Sequence, residues 1–228
     1  MTLYQAHEHR RSRIPGLVDQ LSVARSPHAV PNLLAWYQAN LEIGYSHGNS
    51  IYVFKDWSGN GFHLSGTGQY IVDSGIALID SDDMANTASP AIGNNPFSIC
   101  VFGDTYNSDG TLFGVGGGMA AKNSLNVCVD RLYCWEYDPA FTSMGTSAPW
   151  YLITVTYDQS SIRIYKDSSL FATLTQGSYN IQSGIYMFRW FYNDRQSTLR
   201  ARFAAAYTKT LSSDEVGFLS EYAHGLPN

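Results

Sequence analysis

The stretch Lys55-Asp56-Trp57-Ser58-Gly59-Asn60-Gly61 decides how the rest of this chain is interpreted. A short apolar run leads into it, and its glycines reach positive φ at little steric cost. Asn60 can reach positive φ as well, and the short side chains of Asp56 and Ser58 bond back to nearby backbone, so regular helix and central strand are excluded. We therefore expect a stiff, self-bonded turn whose polar residues hold a loop in shape and bind no ligand.

Composition favours one large β-rich domain. The chain has 228 residues, of which 44% are hydrophobic and 14% charged, so it can bury a sizeable core. Its 16 Tyr and 11 Phe favour strands over helices. The net charge of −5 gives no general case for nucleic acid, and no apolar run is long enough to cross a membrane. The polar N-terminus does not resemble a signal peptide, so we expect synthesis in a cytoplasm.

Short apolar or alternating segments follow one another between residues 33 and 207, and they predict about a dozen strands separated by turns. Segment 199–207 alternates apolar and other residues, which predicts one buried face and one wet face. Leu125 to Val129 and Leu132 to Tyr137 flank a turn and predict a hairpin. The glycine-rich segment before Gly75 is interpreted as a connection. The whole pattern predicts a large β-sandwich.

One helix is marked near the end of the chain. Ser212-Ser213-Asp214-Glu215 has the pattern of a capping box, in which the first serine and the glutamate satisfy each other's backbone amides. Leu211 and Val216 fit the hydrophobic staple around it, and Gly225 marks the end. We expect this helix to lay its apolar face on the sandwich.

Residues 1–31 differ from the rest because they are basic, interrupted by proline and too poor in apolar residues to fold alone. We predict that they form a docking arm for a partner, and that residues 32–228 form the sandwich. The alternative is a disordered basic tail. The candidate contact residues of the arm are Arg10, Arg11, Arg13, Leu17, Leu21 and Arg25.

Four motifs, in this order, resemble the concanavalin A-like lectin/glucanase superfamily in its laminin-G-like branch. They are Leu33-Leu34-Ala35-Trp36-Tyr37, the turn at 55–61, the strand pair from Trp150-Tyr151 to Asp167, and the last strand with its helix, 203–216. The resemblance implies an all-β jelly-roll sandwich of two antiparallel sheets with one short C-terminal helix. In the family a glycine usually follows Asp167, and Ser168 in its place favours a longer turn here.

The superfamily includes glucanases that place carboxylates as Glu-x-Asp-x-x-Glu. Glu136-Tyr137-Asp138 begins this pattern, but Phe141 stands where the second glutamate is required. A retaining glycosidase needs a pair of carboxylates, which this pattern does not supply. The histidines lack the spacing of metal ligands, so a histidine-based metal site has no support either. We therefore expect no enzymatic activity and no catalytic residues.

Calcium is the one cofactor that the sequence suggests. Asp104, Asn107 and Asp109 lie in an oxygen-rich stretch that ends in Asp-Gly, and such oxygen ligands suit Ca²⁺. Ordinary solvated loop residues are the alternative interpretation, and it is favoured by the threonine that occupies the first position of this register.

An aromatic row suggests a sugar platform. Tyr133, Trp135 and Tyr137 alternate along a predicted strand, and exposed aromatic rings of this kind stack on sugars. In an all-β protein such a row more often packs in the core, and that alternative stays open.

The three cysteines, Cys100, Cys128 and Cys134, each lie in an apolar run and are interpreted as buried, reduced thiols. A Cys128–Cys134 bridge across the predicted hairpin is the alternative. Reduced thiols favour assembly in a reducing cytosol.

Three functional hypotheses follow. The first is a non-enzymatic structural protein of a phage virion, a decoration, head-fibre or tail-surface module. It would be held in a multi-copy or homo-oligomeric assembly by residues 1–31 and would bind host glycans. Its basis is an extracellular type of fold, the lack of a secretion signal and the basic arm. The second is a soluble, lectin-like carbohydrate-binding module, and the third is a glycan-cleaving enzyme. Fold resemblance alone does not choose among them.

Overall fold

The structure is a computed structural model that describes residues 26–41, 49–73, 76–79, 85–105, 110–116, 124–128, 131–135, 142–143, 150–175, 181–190 and 199–226. The strands are β1 Leu33–Gln38, β2 Asn49–Phe54, β3 Leu64–Asp73, β4 Ile76–Ile79, β5 Ala85–Thr87, β6 Phe97–Thr105, β7 Gly110–Gly116, β8 Ser124–Cys128, β9 Arg131–Trp135, β10 Thr142–Ser143, β11 Tyr151–Tyr157, β12 Ser161–Lys166, β13 Ser169–Thr175, β14 Ile185–Trp190 and β15 Leu199–Tyr207. Helix α1, Ser213–His224, follows the last strand.

The strands form two antiparallel layers. Sheet I contains β1, β15, β6, β11, β12 and β13 in that order. Sheet II contains β10, β9, β8, β7, β14, β5 and β3, with β2 beside β3. Strand β4 pairs with both β3 and β15, so it joins the two layers at one edge. The predicted all-β sandwich is confirmed.

The main core lies between the two sheets. Ile99, Val101 and Val155 of sheet I face inward and pack in one cluster with Phe113 and Val115 of sheet II. All five side chains are fully buried. Burying one such side chain contributes about 1.5–3 kcal/mol, so this layer supplies most of the driving force for folding.

The second face of sheet I is also covered, by helix α1. Cys100 and Phe203 pack there against Val216 and Leu219 of the helix. The prediction of a wet face on segment 199–207 is therefore wrong. Ala204 is as buried as its neighbours because the helix and the core cover opposite faces of the same strand. Cys100 is a buried free thiol, as expected for this cysteine.

The capping box of helix α1 is confirmed. Glu215 donates its amide to the Ser212 hydroxyl, and its carboxylate accepts from the Ser212 amide. The helix ends before Gly225, as expected. Leu211 and Val216 are both buried beside the cap, so the N-terminus is fixed on sheet I by apolar contact as well as by hydrogen bonds.

The turn at residues 55–61 follows β2 and is hydrogen-bonded to β1. The Asp56 carboxylate accepts from the amides of Trp36 at 3.0 Å, Ser58 at 2.9 Å and Phe62 at 2.9 Å. Asn60 donates its side-chain amide to the backbone of β1. Gly59 and Gly61 have φ of +91° and +80°, the left-handed region that favours glycine. The predicted self-bonded loop is confirmed.

The β12–β13 turn has two residues, Asp167 and Ser168, so the prediction of a longer turn is wrong. Asp167 takes the left-handed conformation itself, with φ of +53°, and its carboxylate accepts from the Leu152 amide. Short polar residues tolerate this conformation, which removes the need for glycine.

The predicted hairpin of β8 and β9 is confirmed, and its backbone register places Cys134 opposite Leu125. Cys128 pairs with Thr111 of β7 at the far end of the same strand. This register does not bring the two cysteines opposite each other and argues against a bridge between them.

The interpretation of the segment before Gly75 as a connection is wrong, since most of it belongs to β3.

The described end of the predicted arm packs on the sandwich. Val30 is buried in the layer under helix α1, and Tyr207 donates its hydroxyl to the Pro27 carbonyl. His28 Nε2 lies 3.0 Å from the Trp57 carbonyl oxygen. Residues 1–25, which include all six candidate contact residues of the arm, lie outside the described residues. No helix in the described ranges is long and apolar enough to span a membrane.

Candidate functional site

The Trp150 cluster consists of Phe102, Asp104, Trp150, Arg200 and Arg202. It lies on the face of sheet I that helix α1 covers, close to the C-terminal end of the helix, where His224 contacts Phe102. Strand β6 ends here, and β11 and β15 begin here. The cluster is therefore built from residues far apart in sequence that the sheet brings to one end.

A β-bulge in β15 brings Phe203 to the same face as the two arginines. Gly103 of β6 is opposite Ala201, whereas Phe102 is opposite Phe203, so Arg202 is the extra residue on β15. A bulge changes which face the following residues point to. Arg200, Arg202 and Phe203 therefore lie on the outer side of sheet I, although strict alternation would separate them.

Gly103 makes this bulge possible. A Cβ at this position would lie 2.8 Å from the Arg200 carbonyl oxygen and 2.9 Å from Leu112 Cδ1. The Leu112 side chain could move aside, but the Arg200 carbonyl belongs to the backbone of β15, so a side chain at this position would push β15 away from β6.

Both guanidinium groups lie close to the indole ring of Trp150. The Arg202 Cζ atom is 5.0 Å and the Arg200 Cζ atom 5.6 Å from the ring centroid of Trp150. Phe102 packs on the same indole at 5.6 Å with a tilt of 49°. Each cation–π contact contributes about 0.5–1 kcal/mol at a partly exposed site, so the rings and cations fix one another's positions.

Three side chains of the cluster are charged. Arg200 donates to the Asp104 carboxylate, and 12% of that carboxylate side chain is exposed. Partial burial lowers the pKa of Arg202, which remains a cation because guanidinium pKa values lie far above neutrality. The named side chains thus include two cations and one anion.

The neighbouring His224 and Asp167 form a second contact pair. The imidazole Nε2 of His224 lies 2.8 Å from the Asp167 carboxylate, and its ring packs edge-on against Phe102 at 4.9 Å. This pair connects the end of helix α1 to the β12–β13 turn. It touches the Trp150 cluster through Phe102.

The structure places one of the three predicted calcium ligands. Asp104 lies in strand β6, not in a loop, and Arg200 neutralises it. Asn107 and Asp109 lie outside the described residues, so the calcium site stays a prediction. Over the part of the chain that is described, no three His, Cys, Asp or Glu side chains come together as a metal site would require.

The structure places the backbone of two of the three predicted sugar-platform residues. Tyr133 and Trp135 lie on β9, and Tyr133 is opposite Asn126 of β8. Asn126 is buried and accepts from the Tyr186 hydroxyl. Tyr137 and the side chains of the other two lie outside the description, so this platform stays a prediction.

The described carboxylates whose contacts are known serve structural roles. Asp56 holds the opening turn, Asp158 accepts from the β11–β12 turn, and Glu215 caps helix α1. Glu136 and Asp138, which begin the incomplete glucanase pattern, lie outside the described residues.

Sequence reasoning missed the Trp150 cluster. Trp150 is interpreted there as a fold motif, and Arg200 and Arg202 as residues of a wet face. The available signal is an Arg-x-Arg pair directly before Phe203. The bulge that brings Phe203 to the face of the arginines depends on β6 and has no local signature.

No sequence-family profile and no curated protein matches the chain. Solved structures do match. The binding domain of botulinum neurotoxin DC in complex with rat synaptotagmin II is 13% identical over 83% of this chain and 51% of its own, with a TM-score of 0.61. The serotype D ligand-binding domain in complex with N-acetylneuraminic acid is 12% identical over 83% of this chain and 50% of its own, with a TM-score of 0.60.

A sialidase also matches. The Trypanosoma rangeli sialidase in complex with sialic acid is 11% identical over 84% of this chain and 33% of its own, with a TM-score of 0.57. This likeness is one of fold. The chain spans about half the length of the toxin domains. Most of the matched structures named here are binding domains, and one is an enzyme.

Proposed function

We propose that this chain is a non-enzymatic glycan-binding module and that the Trp150 cluster is its ligand site. The observation that carries the proposal is the half-buried indole of Trp150, which packs on Phe102 at one end of sheet I. An indole offers an apolar face to the C–H side of a sugar ring.

The fixed geometry favours binding. Ordering a ligand-contacting side chain costs about 0.5–1.5 kcal/mol, and this cost is lower for side chains that are already held. Phe102 holds Trp150 from one side, and the bulge holds Arg202. The binding domains that share the fold, two of them complexed with N-acetylneuraminic acid or a synaptotagmin, support a recognition role.

The described carboxylates are occupied by hydrogen bonds or ion pairs, which supports a binding module over a hydrolase. Glycoside hydrolysis uses two carboxyl groups about 5–9.5 Å apart, one of them free to transfer a proton. Asp104, the carboxylate within the cluster, is instead held by Arg200. The sialidase among the matched structures keeps the enzyme hypothesis as the alternative, which a hydrolysis assay on the bound glycan tests.

A glycan array probed with the purified full-length chain tests the proposal. We expect binding to a subset of saccharides and its loss in Trp150→Ala. Trp150→Leu keeps apolar packing without an aromatic face, and it is expected to bind as weakly as the alanine variant. Absence of binding to every saccharide, with and without Ca²⁺, would overturn the proposal.

Trp57→Ala is the matched control. Trp57 is also half-buried and has a cation over its ring, since Lys55 Nζ lies 4.2 Å from the ring centroid. It belongs to the opening turn, not to the cluster. We expect this variant to retain glycan binding in the folded fraction. Equal loss in both tryptophan variants would assign the effect to stability and contradict the proposed site.

The virion role is a further part of the proposal. A module on a virion surface needs an attachment element, and residues 1–25 carry four arginines against Glu8 and Asp19. Deletion should stop at residue 25, because Pro27 and Val30 are buried on the sandwich. If the truncated protein still joined the assembly of the native chain, the docking arm would be excluded, while glycan binding would be unaffected.

A further inference from the structure

We propose that Asp167 and His224 are polar contacts of the glycan site and that they select neutral sugars, whose hydroxyl groups they bind beside Trp150. This inference rests on the proposed function, which it deepens by naming the ligand class. It requires that the two side chains lie next to the Trp150 cluster and keep hydrogen-bonding atoms that the fold does not use.

The His224–Asp167 pair lies against the same phenyl ring as Trp150. The centroid of the Phe102 ring is 4.9 Å from that of His224 and 5.6 Å from that of the Trp150 indole. Phe102 is buried, whereas 47% of the His224 side chain and 31% of the Asp167 side chain are exposed, and Trp150 is half-buried. Phe102 therefore lies beneath the surface, and the side chains that it brings together reach solvent.

One oxygen of the Asp167 carboxylate remains available to a ligand. The Oδ1 atom accepts from the Leu152 amide at 3.0 Å and lies 2.8 Å from His224 Nε2. Within the described ranges, Oδ2 has no hydrogen-bond partner. The two bonds at Oδ1 fix the carboxylate in one orientation, so less side-chain entropy is lost when Oδ2 binds a ligand.

His224 adds a second hydrogen-bonding atom. A carboxylate only accepts, so the proton of the pair lies on Nε2, and Nδ1 is the nitrogen left for a ligand. No described residue forms a hydrogen bond with Nδ1. In the neutral imidazole this atom accepts, and in the imidazolium it donates. A hydroxyl group can donate and accept, so it suits both forms.

These atoms specify a neutral, hydroxyl-rich ring. The Asp167 carboxylate binds a hydroxyl, which donates a hydrogen bond, and repels a sugar carboxylate or sulfate, which carries the same charge and no proton to donate. Trp150 supplies an apolar face to the C–H side of a sugar. A free anion would use none of these groups, and an apolar ligand would use the indole alone.

A glycan array that carries neutral, carboxylated and sulfated saccharides tests the inference with the full-length chain. We expect the native protein to bind neutral saccharides. Asp167→Asn keeps the size of the side chain and tolerates the left-handed conformation, so the variant should fold. It should raise the apparent dissociation constant for the neutral saccharides about tenfold, the value of one hydrogen bond to a charged group. Carboxylated saccharides should gain relative to neutral ones, because the repulsion is removed, and a merely structural role would not produce this shift.

A second variant and a matched control separate recognition from stability. His224→Phe keeps a ring against Phe102 and removes both nitrogens, and it should also weaken binding of the neutral saccharides. Asp158→Asn is the control, because it makes the same substitution in the turn at the opposite end of β12. This control should bind as the native chain does, and thermal unfolding checks that each variant is folded.

The outcomes separate the two proposals. If the native protein bound only carboxylated or sulfated saccharides, the inference would be wrong and glycan binding would stand. Native affinity for the neutral saccharides in both Asp167→Asn and His224→Phe would contradict it as well, and so would an equal loss in Asp158→Asn. If the whole array was blank, the proposed function itself would fail.

Discussion

The Asp56 turn and the Trp150 cluster both gather polar side chains around a tryptophan, yet their polar groups have different partners. Asp56 accepts from backbone amides of β1 and of its own loop, within 3.0 Å. In the Trp150 cluster the two cations lie near the indole of Trp150, and one of them pairs with a carboxylate. The Asp56 turn is therefore held by hydrogen bonds to backbone, whereas the Trp150 cluster is held by contacts between side chains.

The largest loss of stability is expected from a substitution in the Asp56 turn. Asp56→Ala leaves several buried amide donors without an acceptor, so we expect a loss of roughly 3–4 kcal/mol in the free energy of unfolding. Urea unfolding followed by tryptophan fluorescence measures it. If the folded fraction of this variant lost its glycan affinity completely, the division between a structural turn and a recognition cluster would be wrong.

The second prediction tests the position that shapes the cluster. Gly103→Ala pushes a Cβ against the Arg200 carbonyl, which we expect to cost about 2 kcal/mol and to weaken glycan binding by displacing the bulge. Urea unfolding and a binding titration measure the two effects.

Gly217→Ala is the control for this substitution. It lies in helix α1 with no atom within 4 Å of an added Cβ, and we expect it to stabilise the protein by about 0.5–1 kcal/mol. If Gly103→Ala were as harmless as this control, close approach of β15 to β6 would not be what requires glycine.

The two regions also differ in how far sequence predicts them. The Asp56 turn is local: its donors and acceptors lie mostly within seven residues, and its glycines mark the conformations required. The capping box of helix α1 is readable for the same reason. Strand β3 is missed because Gly66 and Gly68 suggest a connection, and only pairing with β2 and β4 makes it a strand.

The Trp150 cluster depends on contacts between distant segments. Phe102, Trp150 and Arg202 meet only because β6, β11 and β15 are neighbours in sheet I. The alternation of segment 199–207 suggests a wet face, and neither the bulge nor the covering helix can be deduced from that segment alone. Asp104 suggests a calcium ligand for the same reason, since its partner Arg200 is 96 residues away.

A smaller loss of stability is expected at the start of helix α1. Ser212→Ala removes the cap acceptor of the Glu215 amide and should cost about 1 kcal/mol. Ser213→Ala, at an exposed neighbouring position, should change stability little. Thermal unfolding compares the two. Glycan affinity should not change in either variant, because the cluster lies at the other end of the helix, and a loss would mean that the helix start positions the site.

The smallest effect on stability is expected at Asp158. Like Asp56, it accepts hydrogen bonds from backbone amides of its own turn, but it lies half-exposed between β11 and β12. Hydrogen bonds, above all from the Ser160 hydroxyl, lower the pKa of the Asp158 carboxyl. A carboxyl whose pKa is lowered by folding stabilises the protein above its unfolded pKa of about 3.9, and this contribution is lost as the pH falls through the folded pKa.

Asp158→Asn should therefore destabilise the protein by less than about 1 kcal/mol at pH 7, given solvent screening. The difference from the native chain should persist to about pH 5 and shrink below about pH 4. Ser160→Ala should weaken the same pH dependence. Urea unfolding across this range measures all three proteins, and an unchanged difference at low pH would show that the charge of Asp158 is irrelevant. The comparison with Asp56→Ala contrasts a buried carboxylate that accepts from the amide of another strand with a more exposed one that accepts within its own turn and pairs with Arg163.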